Sequence, residues 1–128
     1  MNSGLSLSKR GEIYLVPLPL PVGAGAVTAP KVRPVLILQN DRDNQNPRHP
    51  TVTVAPITTH GVPGREYDTD VMLPASTASL ERDSKVLLGQ IMTIQKSLLG
   101  QRVGQLDDET MDDVETALLI ALGVIEPA

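Results

Sequence analysis

Near the start of the chain apolar and polar positions alternate: Ile13 and Leu15 fall on one side, Glu12 and Tyr14 on the other. A period of two is the pattern of a half-buried strand, so a first strand is expected over 11–17. Pro17, Pro19 and Pro21 are expected to break it, because proline cannot donate to a ladder. Residues 18–32 are rich in Pro, Gly and Ala without any period and read as a long loop. A continuous apolar run over 35–38 lies between Pro34 and a polar cluster over 39–46, which predicts a buried strand. Residues 51–58 are β-branched at most positions and predict a third strand, with Pro56 marking an edge or bulge. A turn is expected around Gly61, Pro63 and Gly64, then a short strand over 70–73 and a helical turn within 75–80. The last long β segment is expected over 85–94, bent at Gly89, followed by a single turn over 96–99.

The period then changes. Met111, Val114, Leu118, Leu122 and Ile125 recur at three- and four-residue steps, the spacing of one helix face. Asp107 is a natural N-cap, Asp108 and Glu109 suit the positive first turn, and Gly123 suits the stop. Short strands at this spacing ending in a helix predict an all-β fold, a small barrel, with a C-terminal helix.

Composition refines this picture. A chain of 128 residues has the length of one domain, taken as 10–126 after a flexible N-terminal leader over 1–9. The core must be aliphatic, since Phe and Trp are absent and only Tyr14 and Tyr67 are aromatic. Without Cys there is no disulfide framework and no thiolate chemistry, which fits a reducing cytoplasm. No stretch reads as a signal peptide or a membrane span, so no membrane partner is expected. The net charge of −4 hides an asymmetry. From Asp107 onward there are seven acids and no Lys or Arg, so the preceding 106 residues carry 11 bases against eight acids. A mildly basic body of this kind can hold a polyanion.

Three segments carry candidate chemistry: Arg10-Gly11-Glu12-Ile13-Tyr14, Arg33-Pro34-Val35-Leu36-Ile37-Leu38-Gln39-Asn40-Asp41, and Val54-Ala55-Pro56-Ile57-Thr58-Thr59. With Leu73-Pro74, Asp83-Ser84, Gln90-Ile91-Met92-Thr93-Ile94 and Leu106-Asp107 they resemble the MazF/PemK family of toxin endoribonucleases, in order from about Arg10 to Gly123. The resemblance implies an SH3-like small β-barrel of the CcdB/PemK type, acting as a homodimer. It implies single-stranded RNA as substrate, a cognate antitoxin as protein partner, and no cofactor. It also implies that Arg33 and Thr58 are the catalytic pair. Lys31, Asn40, Thr59, His60 and Gln90, in or beside the motifs, are the expected substrate contacts.

The residues are suited to those roles. Arg33 precedes a buried strand, so its backbone is anchored, and its guanidinium stays charged and can hold a phosphate at two points. Thr58 ends a strand, where its hydroxyl can be held near the same mouth. Two isolated histidines, His49 and His60, without Cys make a poor metal set, and no metal site is expected. Asp41, Asp43 and Asn44 resemble a piece of a calcium loop but lack its Gly and distal Glu, so a turn is the reading. The chemistry expected is attack by the RNA's own 2′-hydroxyl, giving a 2′,3′-cyclic phosphate and a 5′-hydroxyl.

The chain departs from the family pattern in two places. Residues 22–32 lack the Glu and Gln that many members carry before Arg-Pro. Leu87 and Gly89 stand where PemK-like relatives place an Arg and an Asp. Two other classes stay open. One is a CcdB-like inhibitor of DNA gyrase, although the chain ends Ile125-Glu126-Pro127-Ala128 without the Trp such a tail uses. The other is an inactive barrel serving as a protein-interaction module.

Overall fold

The structure is a computed structural model that describes residues 8–18, 31–59 and 67–128. The expected turn at Gly61, Pro63 and Gly64, residue His60, most of the 18–32 loop and residues 1–7 of the leader lie outside the described residues. Ser8 and Lys9 are held in place: Gln45 donates to the Ser8 carbonyl at 3.1 Å, and the Lys9 N–H donates to Glu12 at 2.7 Å.

Seven strands form one curled antiparallel half-barrel sheet. They are β1 (Glu12–Leu18), β2 (Lys31–Ile37), β3 (Thr51–Thr58), β4 (Asp70–Leu73), β5 (Ser84–Leu87), β6 (Met92–Gln95) and β7 (Arg102–Gln105). The order across the sheet is β4-β5-β3-β2-β1-β7, with β6 also paired to β3. One short helix, α1 (Asp41–Asn44), follows β2, and the long α2 (Asp108–Ala121) ends the fold.

Both faces of the central strands are covered. One core joins Ile13, Leu36, Ala55, Ile57 and Val86 to Leu106, Met111, Val114 and Ala117, so α2 seals that face. A second core joins Val16, Leu18, Val35, Ile37, Val52 and Val54, with Tyr14, Met92, Ile94 and Leu99 packed against it. Alternation therefore misjudged Glu12, which is buried; Arg102 of β7 pairs with it at 2.6 Å.

Pro17 and Pro34 do not end strands as expected, and Pro19 and Pro21 lie outside the described residues. β1 runs through Pro17 to Leu18, and β2 starts at Lys31 and runs through Pro34. Peptide groups along a strand point alternately to its two neighbours. The Gly11 N–H donates to the Ile37 carbonyl and the Leu38 N–H to the Thr53 carbonyl, which fixes that alternation in β2. By it, Pro34 faces β3, where the ladder stops at Val35↔Pro56. Pro56 faces away from β2, between the last β6 rung at Val54↔Met92 and the first β5 rung at Ile57↔Val86. Pro17 faces the β7 side, beyond the last β1–β7 rung at Tyr14↔Arg102. Each missing N–H falls where no rung needs it.

Other boundaries also shift. The segment over 85–94 is not one bent strand: a 3-10 turn at Leu88–Gln90 separates β5 from β6, and the two pair with different halves of β3. The turn at Thr77–Ser79 is not regular helix, because Ser76, Ala78 and Ser79 all have positive φ. Asp41, Asp43 and Asn44, read as a turn, form the single helical turn α1. The sequence pattern missed β7, only four residues long. On α2 the apolar face packs through Met111, Val114 and Ala117, but Leu122 and Ile125 are exposed.

Asp107 caps α2 as expected, its side chain accepting the Thr110 N–H at 2.8 Å. Those hydrogen bonds from Thr110 hold its carboxyl below the usual range. A depressed pKa stabilises the fold above the unfolded value and loses that contribution as pH falls through the folded one. Asn also caps well but does not titrate. The melting midpoint of wild type minus that of Asp107→Asn should therefore be larger at pH 7 than at pH 3. An equal difference at both pH values would refute the charge-assisted cap.

Candidate active site

The site lies where β2 and β3 part. Arg33 and Thr58 each stand two residues beyond the Val35↔Pro56 rung, so continuing the register sets them opposite each other. Side chains alternate along a strand, which puts Arg33 on the face of Val35 and Ile37, and Thr58 on that of Val52 and Val54, the same side of the sheet. Their backbones are well anchored: Val35, Leu36 and Ile37 are completely buried, and Ile57 is 3% exposed. Arg33 also pairs with Val16 of β1.

The Arg33 Nε is buried and has no hydrogen-bond partner among the described residues. A buried N–H left unsatisfied costs about 1–3 kcal/mol, more for a charged group. An anion entering between β2 and β3 would satisfy it.

Lys31 lies two residues from Arg33 on the same face of β2 and is exposed, so it extends the positive rim. Lys85 of β5 stands opposite Thr58 in register, but its charge is spent internally, 3.6 Å from the Asp70 carboxylate; both side chains are almost fully buried. Tyr14 shares this face and pairs in register with Val35. Its hydroxyl donates to Glu12 at 3.2 Å, and burial, reinforced by that carboxylate, pushes its pKa up to about 12. Tyr14 is thus protonated at neutral pH and is no general base.

The other expected contacts do not all gather here. Thr59 follows Thr58 and is exposed at the same strand end. His60 lies outside the described residues. Gln90 closes the 3-10 turn flanking β3 between its Met92 and Val86 rungs, nearer the middle of that strand. Asn40 is far from the pair. At about 3.3 Å per residue, Ile37 at the other end of β2 is already roughly 13 Å from Arg33, and Asn40 lies beyond it. Its side chain is committed to α1, accepting the Asp43 N–H at 2.9 Å and donating to the Asp43 carboxylate at 3.1 Å.

Sequence reasoning passed over Pro34 as a boundary, whereas it sits inside the site. Lys85 was also missed, although a lysine in an otherwise apolar run is a visible signal of a buried partner. So were the residues lining a cleft behind Thr59. Their only trace in the sequence is a short polar stretch between β4 and β5.

Residues 9–122 match the model of a protein family described as PemK-like, MazF-like toxin of type II toxin–antitoxin system. The endoribonuclease EndoA of Bacillus subtilis (strain 168) is 42% identical over 118 residues, which span 92% of this chain and 97% of that protein. Among solved structures, an endoribonuclease in complex with its cognate antitoxin from a mycobacterial species aligns with a TM-score of 0.68 at 29% identity, covering 94% of this chain and 99% of that one. A MazE–MazF structure (Form-II) from Deinococcus radiodurans shares the fold, with a TM-score of 0.65 at 17% identity over 91% of this chain and 95% of that one.

Proposed function

The chain belongs to the PemK-like, MazF-like toxins of type II toxin–antitoxin systems, and we propose that it cuts single-stranded RNA at the Arg33–Thr58 mouth without a metal. It is an endoribonuclease toxin; the comparisons favour that over a gyrase poison. Its partners are RNA, a cognate antitoxin protein and a second copy of itself, and it works in the cytoplasm. Among the described residues no helix is long and apolar enough to cross a membrane.

The observation that supports the mechanism is the buried Nε of Arg33, without a hydrogen-bond partner among the described residues; extending the β2–β3 register past its last rung brings Thr58 across from it. That Nε is prepared for a phosphate, with no competing acceptor among the described residues. The 2′-oxygen of the nucleotide before the cut attacks the adjacent phosphorus, the P–O5′ bond breaks, and the 5′-oxygen leaves with a proton. The nucleophile is already tethered beside its target, which supplies much of the rate advantage. Arg33 offsets the charge that builds on the phosphoryl oxygens, and Thr58 hydrogen-bonds one of them or the attacking hydroxyl. Arginine is a poor base at neutral pH, so the 2′-proton passes to His60 or to water. Among the described residues no three His, Asp or Glu side chains gather into a metal-holding group, which supports this route over two-metal hydrolysis.

The products should be a 2′,3′-cyclic phosphate, or the 3′-phosphate it opens to, and a free 5′-hydroxyl. Activity should survive EDTA and vanish when the nucleotide before the cut carries deoxyribose. End-group analysis checks all three. Products with a 5′-phosphate, or cleavage of the deoxy-substituted RNA, would overturn the mechanism.

A further inference from the structure

A cleft of about 390 Å³ opens on the other side of the β2–β3 mouth. Pro34 and Thr59, the chain neighbours of Arg33 and Thr58, line it, and alternation along β2 turns Pro34 to the opposite face from Arg33. Leu15, Leu80 and Val103 complete apolar walls, and Ser79 stands on the rim. The two faces lie one residue apart along each strand, next to the point where the β2–β3 ladder ends at Val35↔Pro56.

The rim is built under strain. Ser76, Ala78 and Ser79 have φ of 77°, 48° and 67°, values that side-chain-bearing residues rarely adopt. Packing imposes this turn. A Cβ on Gly104 of β7 would come within 2.3 Å of the Ala78 carbonyl oxygen, so only glycine lets the turn sit so close. Strain of this kind persists where surrounding structure over-determines it, and it clusters at ligand-holding sites. Glu81 and Arg82 also line the cleft, both exposed, so its entrance carries one charge of each sign.

We propose that this cleft is a nucleobase subsite. It takes the base of one nucleotide flanking the scissile phosphate, and Thr59 and Ser79 read that base's edge. The proposal rests on the reading of Arg33 and Thr58 as the phosphate site. A base hangs from its phosphate through one sugar, so a phosphate on one face of the mouth and its base on the other need a single nucleotide to bridge them. Sequence-specific reading of single-stranded RNA takes unstacked bases one at a time, contacting their faces and edges. Among the described residues the one aromatic ring near the mouth, Tyr14, lies on the Arg33 face, and none lines this cleft. Here the Pro34 ring and the aliphatic walls cover the base's faces, while hydroxyls meet its edge.

The test uses an RNA pool of randomised sequence. Cut ends are sequenced for wild type, Thr59→Val, Thr59→Ser and Ser79→Asn. Asn tolerates positive φ, so Ser79→Asn keeps the turn while crowding the cleft, and melting curves verify folding. Thr59→Val should lower discrimination at one position flanking the cut about five- to tenfold, the scale of one hydrogen bond. Ser79→Asn should alter preference at that same position, and Thr59→Ser should keep the wild-type preference. An unchanged preference in both Thr59→Val and Ser79→Asn would overturn the subsite, and so would an equal loss at every position. Binding is measured in parallel on the 2′-deoxy counterpart of the pool. If wild type cuts nothing, the mechanism fails, while the bound sequences of wild type and variants still decide the subsite.

Discussion

Replacing Arg33 by alanine should lower RNA cleavage about 100- to 1000-fold, the usual loss when one donor to developing charge is removed, while leaving the melting midpoint unchanged or higher. The two halves of this expectation share one cause. Among the described residues the Arg33 Nε is buried and unsatisfied, so it is a cost to the fold that a bound phosphate would relieve. Removing it deletes the phosphate contact and the unmet donor together. Activity and stability then move in opposite directions, as at many active sites. Arg33→Lys should recover only part of the rate, because a lysine keeps the charge but lacks the planar fork. Initial rates on a long single-stranded RNA, measured with thermal melts of the same samples, decide the matter. A wild-type rate in Arg33→Ala would remove Arg33 from the chemistry. A rate loss accompanied by an equal loss of folded protein would make it a structural residue.

The second large effect is on stability. Lys85→Met should destabilise the protein by about 3–5 kcal/mol, the range for breaking a buried ion pair from one side. Lys85 and Asp70 are 5% and 3% exposed and stand 3.6 Å apart on neighbouring strands. Without the lysine, Asp70 keeps a long hydrogen bond from the Tyr67 N–H at 3.4 Å, poor compensation for a carboxylate shut away from water. A domain has only about 5–15 kcal/mol in hand, so the variant would sit near the edge of folding. The double variant Lys85→Met/Asp70→Leu removes both charges and should regain most of the loss. Urea denaturation of the single and double variants measures this directly. A single variant as stable as wild type would show that the pair contributes nothing. A double variant no better than the single one would show that packing, not charge, sets the cost.

How far the sequence could be read depended on what each element is packed against. β3 and β4 matched their expected bounds because β-branched or apolar runs end at clear breaks. The α2 cap was legible because Asp107 acts on its own turn. The apolar periodicity of α2 overshot, since it says which residues share a face but not where the sheet beneath them ends. Leu122 and Ile125 keep the period and meet no sheet. In β1 the alternation failed at Glu12 because the curled sheet covers both faces, and the cation that balances its buried carboxylate, Arg102, lies some ninety residues on. For the site, Arg33 and Thr58 were legible as motif residues, but their juxtaposition depends on the β2–β3 register. Asn40 belongs to the same motif as Arg33, and the straight run of β2 carries it away. The cleft was not legible, because its walls come from β1, β2, β7 and a turn of positive φ that Ser and Ala do not advertise.

Pro34 has a consequence beyond leaving a rung unmade. An unfinished edge between two strands is an invitation to a third, since free N–H and carbonyl groups there can template an added strand. At Pro34 the position turned toward β3 has no hydrogen to offer. Its carbonyl can still accept, but neither β3 nor an added peptide can draw a donor from it. Backbone pairing at this point is therefore one donor short by the covalent structure of one residue, whatever the neighbouring side chains do. What binds here, substrate or inhibitor, then depends more on side chains and charge, which leaves the choice of occupant to residues that can change without rebuilding the sheet.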